Sequence, residues 1–422
     1  MSKTLTGLRY RLCPHPGQER ILARSAGACR GLWNRALDYR EELWLAARSA
    51  GATGFRGSAG YVHLRSLLPG LKKQFTWLSQ APHHALQATL RDLDRAFGGF
   101  FAGRSGYPRY RRKGEGDSIR FPDPKQFAVD GDWVKLPKLG WTRFRLSRPI
   151  AGKVRNITLS RDGSHWSVSF CVEGQFSLPN RGLPAVGLDL GAAQSVTASN
   201  GVVVSFPVAT PAEERRLRWL QRQASRRRKG SSRRRQTIEC IARLRRHLAN
   251  RRRDAAHKLS TRLATTHGAI VIEDLNVRRM TASAAGTIEE PGRNVRRKSQ
   301  LNRRMLAQGL SDFRRMLAYK CGRSGARLVA VDPAFTSQTC SQCKHCAQGN
   351  RKSQAVFQCA ACGYHTNADL NAALNILAAG QAVTAQGGSG VTPADELRTH
   401  PRKRLQARPA PTGIPIKAAA AA

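Results

Sequence analysis

Three acidic residues, two on apolar strands and one in the first turn of a helix, are the candidates for chemistry in this chain. Val186-Gly187-Leu188-Asp189-Leu190-Gly191 is an apolar strand carrying one acid between glycines. Period-two alternation puts Asp189 and the glycines on one face and Val186, Leu188 and Leu190 on the other. A glycine beside a carboxylate lets a second backbone come close. Ala269-Ile270-Val271-Ile272-Glu273 is a near-continuous apolar run, as a buried parallel strand requires, and it ends in an acid. Thr366-Asn367-Ala368-Asp369 opens a helix whose expected core face is Leu370, Ala373, Leu374 and Leu377, so Asp369 falls in its first turn. Two strand-end acids and one helix-borne acid can meet at one point, where cations must neutralise them. Hard carboxylate oxygens suit Mg²⁺ or Mn²⁺. Two such ions, ~3.5–4 Å apart, would activate a water and stabilise the leaving oxygen of an in-line phosphodiester displacement. Two other acids compete for the role. Asp274 adjoins Glu273 but alternation points it the other way. Asp332 precedes Pro333 at a strand end and reads as structural.

The cysteines supply a second chemistry. Cys340-Ser-Gln-Cys343 and Cys359-Ala-Ala-Cys362 have the spacing of a four-thiolate zinc ribbon holding one structural Zn²⁺, with no coordination position left open. Cys346 competes for a place, because Cys343 and Cys346 also form a CxxC pair. The remaining cysteines are scattered, which is not how a disulfide framework looks.

The chain has 72 Lys and Arg against 27 Asp and Glu, a formal charge of +45. That surplus calls for a polyanion, with duplex DNA or folded RNA the natural counter-charge. Between Ala212 and Gly268 stand nineteen basic residues and four acids. Ile241, Leu244, Leu248, Ala255, Leu259 and Leu263 form one apolar stripe there, and arginine covers much of the rest. Few acids are placed to pair within the helix, so phosphate contact is the expected role of Arg226, Arg227, Arg228, Arg233, Arg234, Arg235, Arg243, Arg246, Arg251 and Arg253. Gly230 and Ser231 should break the helix among them. No run of ~18 apolar residues is present, so no membrane span is expected. The N-terminus lacks an export signal, so the expectation is cytoplasmic, nucleoid-associated when on DNA.

These residues need elements to position them. Residues 1–14 read as a strand. Residues 15–102 read as helical, with Ile21, Leu22, Ala28, Leu32, Trp33, Leu37 and Trp44 on one stripe and Leu86, Leu90, Leu93, Phe97, Phe100 and Phe101 on another. Residues 103–118 read as a basic linker. Short β segments follow at 119–122, 126–129, 133–136, 141–146, 152–160 and 165–173, with Asp130-Gly131 and Asp162-Gly163 as hairpin signals. They suggest a small barrel completed by the N-terminal strand, with the helices as an insertion. From Pro184 the order is three β runs, the basic helical block, strand, helix, strand, Cys-rich loop and helix, which suits an α/β layer fold. The tail, rich in Gly, Pro and Ala, is expected to be disordered.

Together, GLDLG (187–191), IVIEDL (270–275), TSQTCSQC (336–343) and CAACGYHTNADLNAALNIL (359–377) resemble the transposon-encoded TnpB nucleases and compact type V CRISPR effectors. CRGLWNRALDYR (29–40), GYPRYRRK (106–113) and LPKLG (136–140) support the resemblance, which runs from about residue 5 to 380. It implies a multidomain α/β, β-barrel and helical protein with a split RuvC (RNase H-like) nuclease. The implied layout is a first wedge-barrel strand (1–14), a helical recognition domain (15–118), the wedge-type barrel (119–182), a first RuvC segment (183–335), a zinc-ribbon target-nucleic-acid-binding insert (336–364), a second RuvC segment (365–380) and a tail (381–422). It further implies Asp189, Glu273 and Asp369 as the metal-binding triad, and Cys340, Cys343, Cys359 and Cys362 as the zinc set. Implied partners are a guide RNA and target DNA, double-stranded and then opened, cut beside a short adjacent motif. Lys344 stands where the family has glycine after the second cysteine, and the loop 281–298 is a candidate lid. Strand-transfer transposase and guide-dependent DNA-binding regulator are the alternative readings. Monomer or dimer is left open by the sequence.

Overall fold

The computed structural model describes residues 4–49, 60–163, 165–174, 182–191, 193–287, 289–353 and 355–385. The chain forms two compact units. One spans residues 17–122. The other joins the N-terminal strand to the chain from Asp123 onward.

Strand β1 (Thr4–Cys13) opens the chain and helix α1 (Pro16–Ser49) follows. The helical unit consists of α1 with α2 (Tyr61–Gln74), α3 (His83–Phe101) and a short strand β2 (Ser118–Phe121). Leu22, Leu32, Trp33 and Leu37 of α1 are buried with Leu86, Leu90, Leu93 and Phe97 of α3, as the stripes predict. Trp44 and Phe101, expected in the same stripes, are 47% and 63% exposed. Both lie near helix C-termini. The segment expected to be a linker is strapped down instead. Trp33 Nε1 donates to the carbonyl of Arg109 (3.0 Å), Asn34 exchanges hydrogen bonds with Arg111, and the Arg111 guanidinium lies 3.6 Å over the Trp33 ring.

In the other unit, β3 (Ala128–Asp130), β4 (Trp133–Leu136), β5 (Gly140–Arg145), β6 (Lys153–Asp162) and β7 (His165–Gly174) join β1 in an antiparallel sheet ordered β6-β7-β1-β5-β4-β3. Residue alternation makes one face apolar. Tyr10, Phe144 and Phe170 meet there with centroids 5.2–5.6 Å apart. The N-terminal strand does complete the sheet, pairing with both β5 and β7. Gly131 and Gly163 take left-handed φ in the two expected hairpins. The segment 126–129 is shorter than expected as a strand, because Pro124–Gln126 is a 3-10 turn. Among the described residues no pairing closes β3 back onto β6, so the sheet is a half-barrel.

Next come β8 (Ala185–Asp189), β9 (Val196–Ala198), β10 (Val203–Val204), α4 (Pro211–Arg226), α5 (Ser232–Thr266), β11 (Ala269–Glu273), α6 (Val277–Met280), α7 (Val295–Gln308), α8 (Leu310–Ser324), β12 (Arg327–Val331), β13 (Val356–Gln358), β14 (His365–Asn367) and α9 (Ala368–Ala385). A five-stranded sheet has the order β10-β9-β8-β11-β12, with β8, β11 and β12 parallel. One face, through Val186, Leu188, Ile270, Ile272 and Leu328, buries against α5 and α8. The other, through Val271, Val329 and Val331, meets Ile376 of α9. Helix α9 runs five residues past the expected start of the tail, and residues 386–422 lie outside the described residues.

Gly187 is where α9 comes closest. A Cβ there would lie 2.3 Å from the Ala373 carbonyl oxygen and 2.7 Å from the Leu377 nitrogen. Backbone cannot swing aside as a side-chain end can, so Gly187→Ala is expected to push α9 off β8. It should cost about 1–3 kcal/mol of unfolding free energy. Denaturant titration of the purified variant checks this, and unchanged stability would mean the helix does not sit so close.

Candidate active site

The face of the five-stranded sheet that carries Gly187 and Val271 also carries Asp189 and Glu273. These acids end the adjacent parallel strands β8 and β11, whose register sets Leu188 beside Ile272. The carboxyl ends of parallel strands are where open α/β sheets bind ligands. Asp369 arrives from the first turn of α9 on the same face. Asn367 starts that helix, its Oδ1 accepting from the amides of Asp369 (2.9 Å) and Leu370 (3.2 Å).

The three acids act on one another. Burial, then Glu273, then Asp369 push the Asp189 carboxyl up to about 7, and Arg351 pulls the other way. Glu273 is 8% exposed and also raised, chiefly by burial. Asp369 is 9% exposed and 3.2 Å from the Arg351 guanidinium. Three buried carboxyl groups beside one guanidinium fit a divalent-metal site on donor chemistry: hard oxygens and low solvent access, with acids raised by burial and by one another that a cation would stabilise as carboxylates. The competing acids serve elsewhere. Asp274 points to the opposite face and pairs with Arg314 of α8 at 2.6 Å, and Asp332 caps its own turn through the amide of Ala334.

Because Asp189 holds its proton to about 7, a divalent cation must displace that proton to bind. Apparent Mn²⁺ affinity should therefore climb as pH rises through about 7 and level off above, by up to about tenfold per pH unit on the acid side. The stability linkage has the opposite sign. The folded carboxyl titrates above the unfolded one, so the metal-free chain loses stability as pH rises from the usual carboxylate range to about 7. Mn²⁺ titrations across this range, followed by calorimetry, test the first statement, and a pH-independent affinity would contradict it.

Cys340, Cys343, Cys359 and Cys362 bring their four sulfurs within 4.8 Å of one another. Cys340 and Cys362 are 3.8 Å apart and Cys343 and Cys359 are 3.5 Å apart. A tetrahedron with Zn–S bonds of about 2.3 Å has edges of about 3.8 Å, so a zinc ion fits with little movement. Cys346 is exposed and outside the cluster. The two knuckles match: Lys344 and Gly363 donate amides to the carbonyls of Cys340 and Cys359, with φ of 63° and 72°. Lys344 thus occupies a left-handed position that glycine fills without cost.

Residues that sequence reasoning missed lock the cysteine module to the acids. Thr336 Oγ1 donates to Glu273 Oε1 at 2.6 Å. Asn375 Nδ2 donates to the carbonyls of Thr336 (3.0 Å) and Thr339 (2.6 Å). Asn371 donates to the Thr339 carbonyl and accepts from the Ser341 amide. Asn350, fully buried, ties Gln338, His345 and Ala360 together. The available signal was asparagine in the middle of an apolar helix, because a buried amide must be satisfied by something. Thr336→Val, which keeps shape and removes the donor, should weaken Mn²⁺ binding about 10- to 100-fold. Thr336→Ser should restore it, and equal affinity in all three proteins would refute a positioning role.

The ten arginines expected at phosphates divide in two. Arg246 reaches Asp162, Arg251 pairs with Glu213 at 2.9 Å, Arg227 bonds to Arg233 O and Thr237, and Arg234 bonds to Arg227 O. These four hold the α4–α5 turn and tie α5 to its neighbours. Arg226, Arg228, Arg233, Arg235, Arg243 and Arg253 are exposed. No helix among the described residues is long and apolar enough to cross a membrane.

Three family models match the chain: "Cas12f1-like, TNB domain" over residues 311–376, "Probable transposase" (OrfB of IS605) over 169–284 and "Helix-turn-helix domain" over 1–48. The last segment is built here as β1 and one continuous helix, α1. The chain is 41% identical to "Putative RNA-guided DNA endonuclease InsQ" of Escherichia coli (strain K12), over 96% of this chain and 99% of that one. It is 32% identical to "Putative RNA-guided DNA endonuclease" of Streptomyces pristinaespiralis, over 98% and 99%. Among solved structures it is similar in fold to a Cas12f1-sgRNA-target DNA complex, with a TM-score of 0.54 at 12% identity, over 89% of this chain and 98% of that one.

Proposed function

This chain belongs to the TnpB (OrfB/IS605) family, and on that premise we propose that it cuts DNA, under the direction of a bound RNA, at the site of Asp189, Glu273 and Asp369. It is an RNA-guided DNA endonuclease of transposon-associated type. Its five-stranded sheet with α5, α8 and α9 acts as the RuvC-type nuclease, interrupted by the cysteine module. The half-barrel acts as the wedge domain, and residues 17–122 as the recognition domain. The observation that carries the catalytic assignment is geometric: Asp189 and Glu273 end adjacent parallel strands, and Asp369 opens the helix packed against both, although Glu273 and Asp369 lie 84 and 180 positions from Asp189 along the chain.

Divalent cations, Mg²⁺ or Mn²⁺, held by those carboxylates would supply Lewis acidity and a water nucleophile to the scissile phosphodiester. The chain's own residues do the positioning. Asp189 and Glu273 are fixed by adjacent strands, and Thr336 orients Glu273. Asp369 is aimed by its Asn367 cap, with Arg351 adding positive charge beside it where a phosphate would come. Cys340, Cys343, Cys359 and Cys362 would hold one structural zinc. The exposed arginines of α4 and α5 would carry phosphates, giving affinity and orientation without choosing a sequence.

The test begins with the RNA that co-purifies with the protein. Once sequenced, its variable segment is replaced by one matching a plasmid library, and cleavage is read with Mg²⁺ and with EDTA. Mg²⁺-dependent cutting that follows the new segment is expected. Cutting that ignores the RNA, or purification without RNA, would overturn the reading.

A further inference from the structure

One motif of the cysteine module is used by neither the acids nor the zinc set. Cys343-Lys344-His345-Cys346 is a second CxxC, sharing Cys343 with the ligand pair Cys340 and Cys343. The first knuckle folds it into one closed turn. Cys340 donates its amide to the His345 carbonyl (3.0 Å), and Cys346 then pairs with Thr339 in an antiparallel bridge. Cys346 therefore leaves the turn beside the segment that enters it. The four ligands differ in cover. Cys340 and Cys359 are buried, whereas Cys343 and Cys362 are exposed. Cys346 is exposed too, so a small oxidant in solvent reaches both sulfurs of the second CxxC. Lys344, between them, donates Nζ to the Ser341 carbonyl (3.0 Å), which holds a positive charge against the same turn. Exposed thiols in electropositive surroundings are the ones that oxidise.

We propose that Cys343 and Cys346 form a reversible, peroxide-driven disulfide that takes a ligand from the zinc ion and so makes the module an oxidation switch on the nuclease. The proposal rests on the zinc reading of Cys340, Cys343, Cys359 and Cys362 and adds a role for Cys346. The Cys343 sulfur attacks hydrogen peroxide, becomes a sulfenic acid and releases hydroxide. The Cys346 thiol then attacks that sulfur, the S–S bond forms, and the sulfenic oxygen leaves as water with the thiol proton. Each sulfur gives up one electron, and the peroxide takes both. Cys346 is the fitting partner because it stands outside the four-sulfur cluster, so its attack needs no second ligand to let go. The rivals Cys340 and Cys359 are buried ligands, and capturing either would strip the ion of two thiolates at once. With Cys343 captured, three thiolates remain where a structural zinc of this kind takes four. Loss of the ion then loosens the contacts that Thr336, Asn371 and Asn375 make between the module, α9 and Glu273.

The protein is purified with its RNA under reductant, freed of reductant and titrated with hydrogen peroxide, alongside C346S. Zinc release is read with a chromogenic chelator, and the cysteines are followed by tryptic mass spectrometry. Trypsin cuts after Lys344, so Cys343 and Cys346 fall on different peptides that stay joined only through a disulfide. Fragmentation of the joined pair tells Cys343 from Cys340. In the wild type, zinc loss should run in step with a Cys343–Cys346 bridge. Reductant with added Zn²⁺ should then return both the ion and Mg²⁺-dependent cutting. C346S should form no such bridge. Its Cys343 should go on to sulfinic acid, which reductant does not reverse, so its zinc should not return. A wild-type bridge between other cysteines, or a C346S protein that regains zinc as fully as the wild type, would overturn the switch and leave the zinc site standing. A reduced wild-type chain that holds no zinc would overturn the zinc reading and the switch with it. Neither the bridge nor the zinc readout requires cutting, so both stand apart from the endonuclease reading.

Discussion

Asp189→Ala is expected to abolish DNA cleavage, by on the order of 10⁴-fold, while RNA and target binding should stay at wild-type strength. The carboxylate stands at the carboxyl end of β8, beside β11 with its Glu273 and under α9 with its Asp369, so it is the acid that feels the other two. Without it, Glu273 and Asp369 keep two of the three carboxylates but lose the one between them. The proposed phosphate contacts are exposed arginines elsewhere on a chain of net charge +45, so binding should be untouched. Asp189→Asn should lose as much activity, because it keeps the shape and removes the charge. The same variants should be more stable than the wild type in EDTA at pH 8, since a buried carboxylate held against two others is relieved. Mg²⁺ should raise the wild-type melting temperature and raise theirs much less. A D189A protein that cuts at full rate would remove the active-site assignment, while loss of RNA binding alongside cleavage would point to misfolding.

Much of this site can be read in the sequence because each acid comes with a local pattern that fixes its face. Odd positions of β8 and β11 hold Gly187, Asp189, Val271 and Glu273, and even positions hold Val186, Leu188, Ile270 and Ile272. Period two separates them before anything is known of the partners, and it sends Asp274 to the far side, where it meets Arg314. The cysteine spacing is legible for the same reason, since a knuckle is a local object. Long-range partners are not legible in this way. Nothing in the run Ala326–Thr336 shows that a threonine hydroxyl will reach Glu273, 63 positions earlier. The expected core face of α9 was misplaced as well: of Leu370, Ala373, Leu374 and Leu377 only Ala373 is buried, and the three leucines are half-buried. Ala372 and Ile376 are buried together with Asn371 and Asn375, because the helix is covered by the sheet on one side and by the cysteine module on another. Charge counting did not show either that four of the ten arginines have intramolecular partners in other elements.

Cys359→Ser is expected to cost the protein its zinc and, with it, most of its cleavage, although no cysteine is within the acid cluster. The cysteine module has little else to hold it. Its core is Cys340, Phe357, Cys359 and Ala368, with Tyr364 against them, so two of the four buried side chains are themselves thiols. A structural zinc contributes on the order of 10 kcal/mol to such a module at neutral pH, far more than that core can supply. When the module loosens, the clamps onto α9 through Asn371 and Asn375 loosen with it. Thr336 then releases Glu273, and Arg351 leaves Asp369. Each lost contact of this kind weakens a metal site about 10- to 100-fold, so cleavage should fall by ~10²–10⁴. Elemental analysis should find one zinc per wild-type chain and none in the variant. Mn²⁺ affinity at the acids should drop in parallel, while the half-barrel and the helical unit keep their circular dichroism. Cys346→Ser is the control, and it should retain zinc and activity because that thiol lies outside the cluster. Lys344→Gly should stabilise the module by relieving its left-handed backbone. A zinc-free C359S protein that still binds Mn²⁺ and cuts normally would show that the two centres are independent, whatever hydrogen bonds run between them.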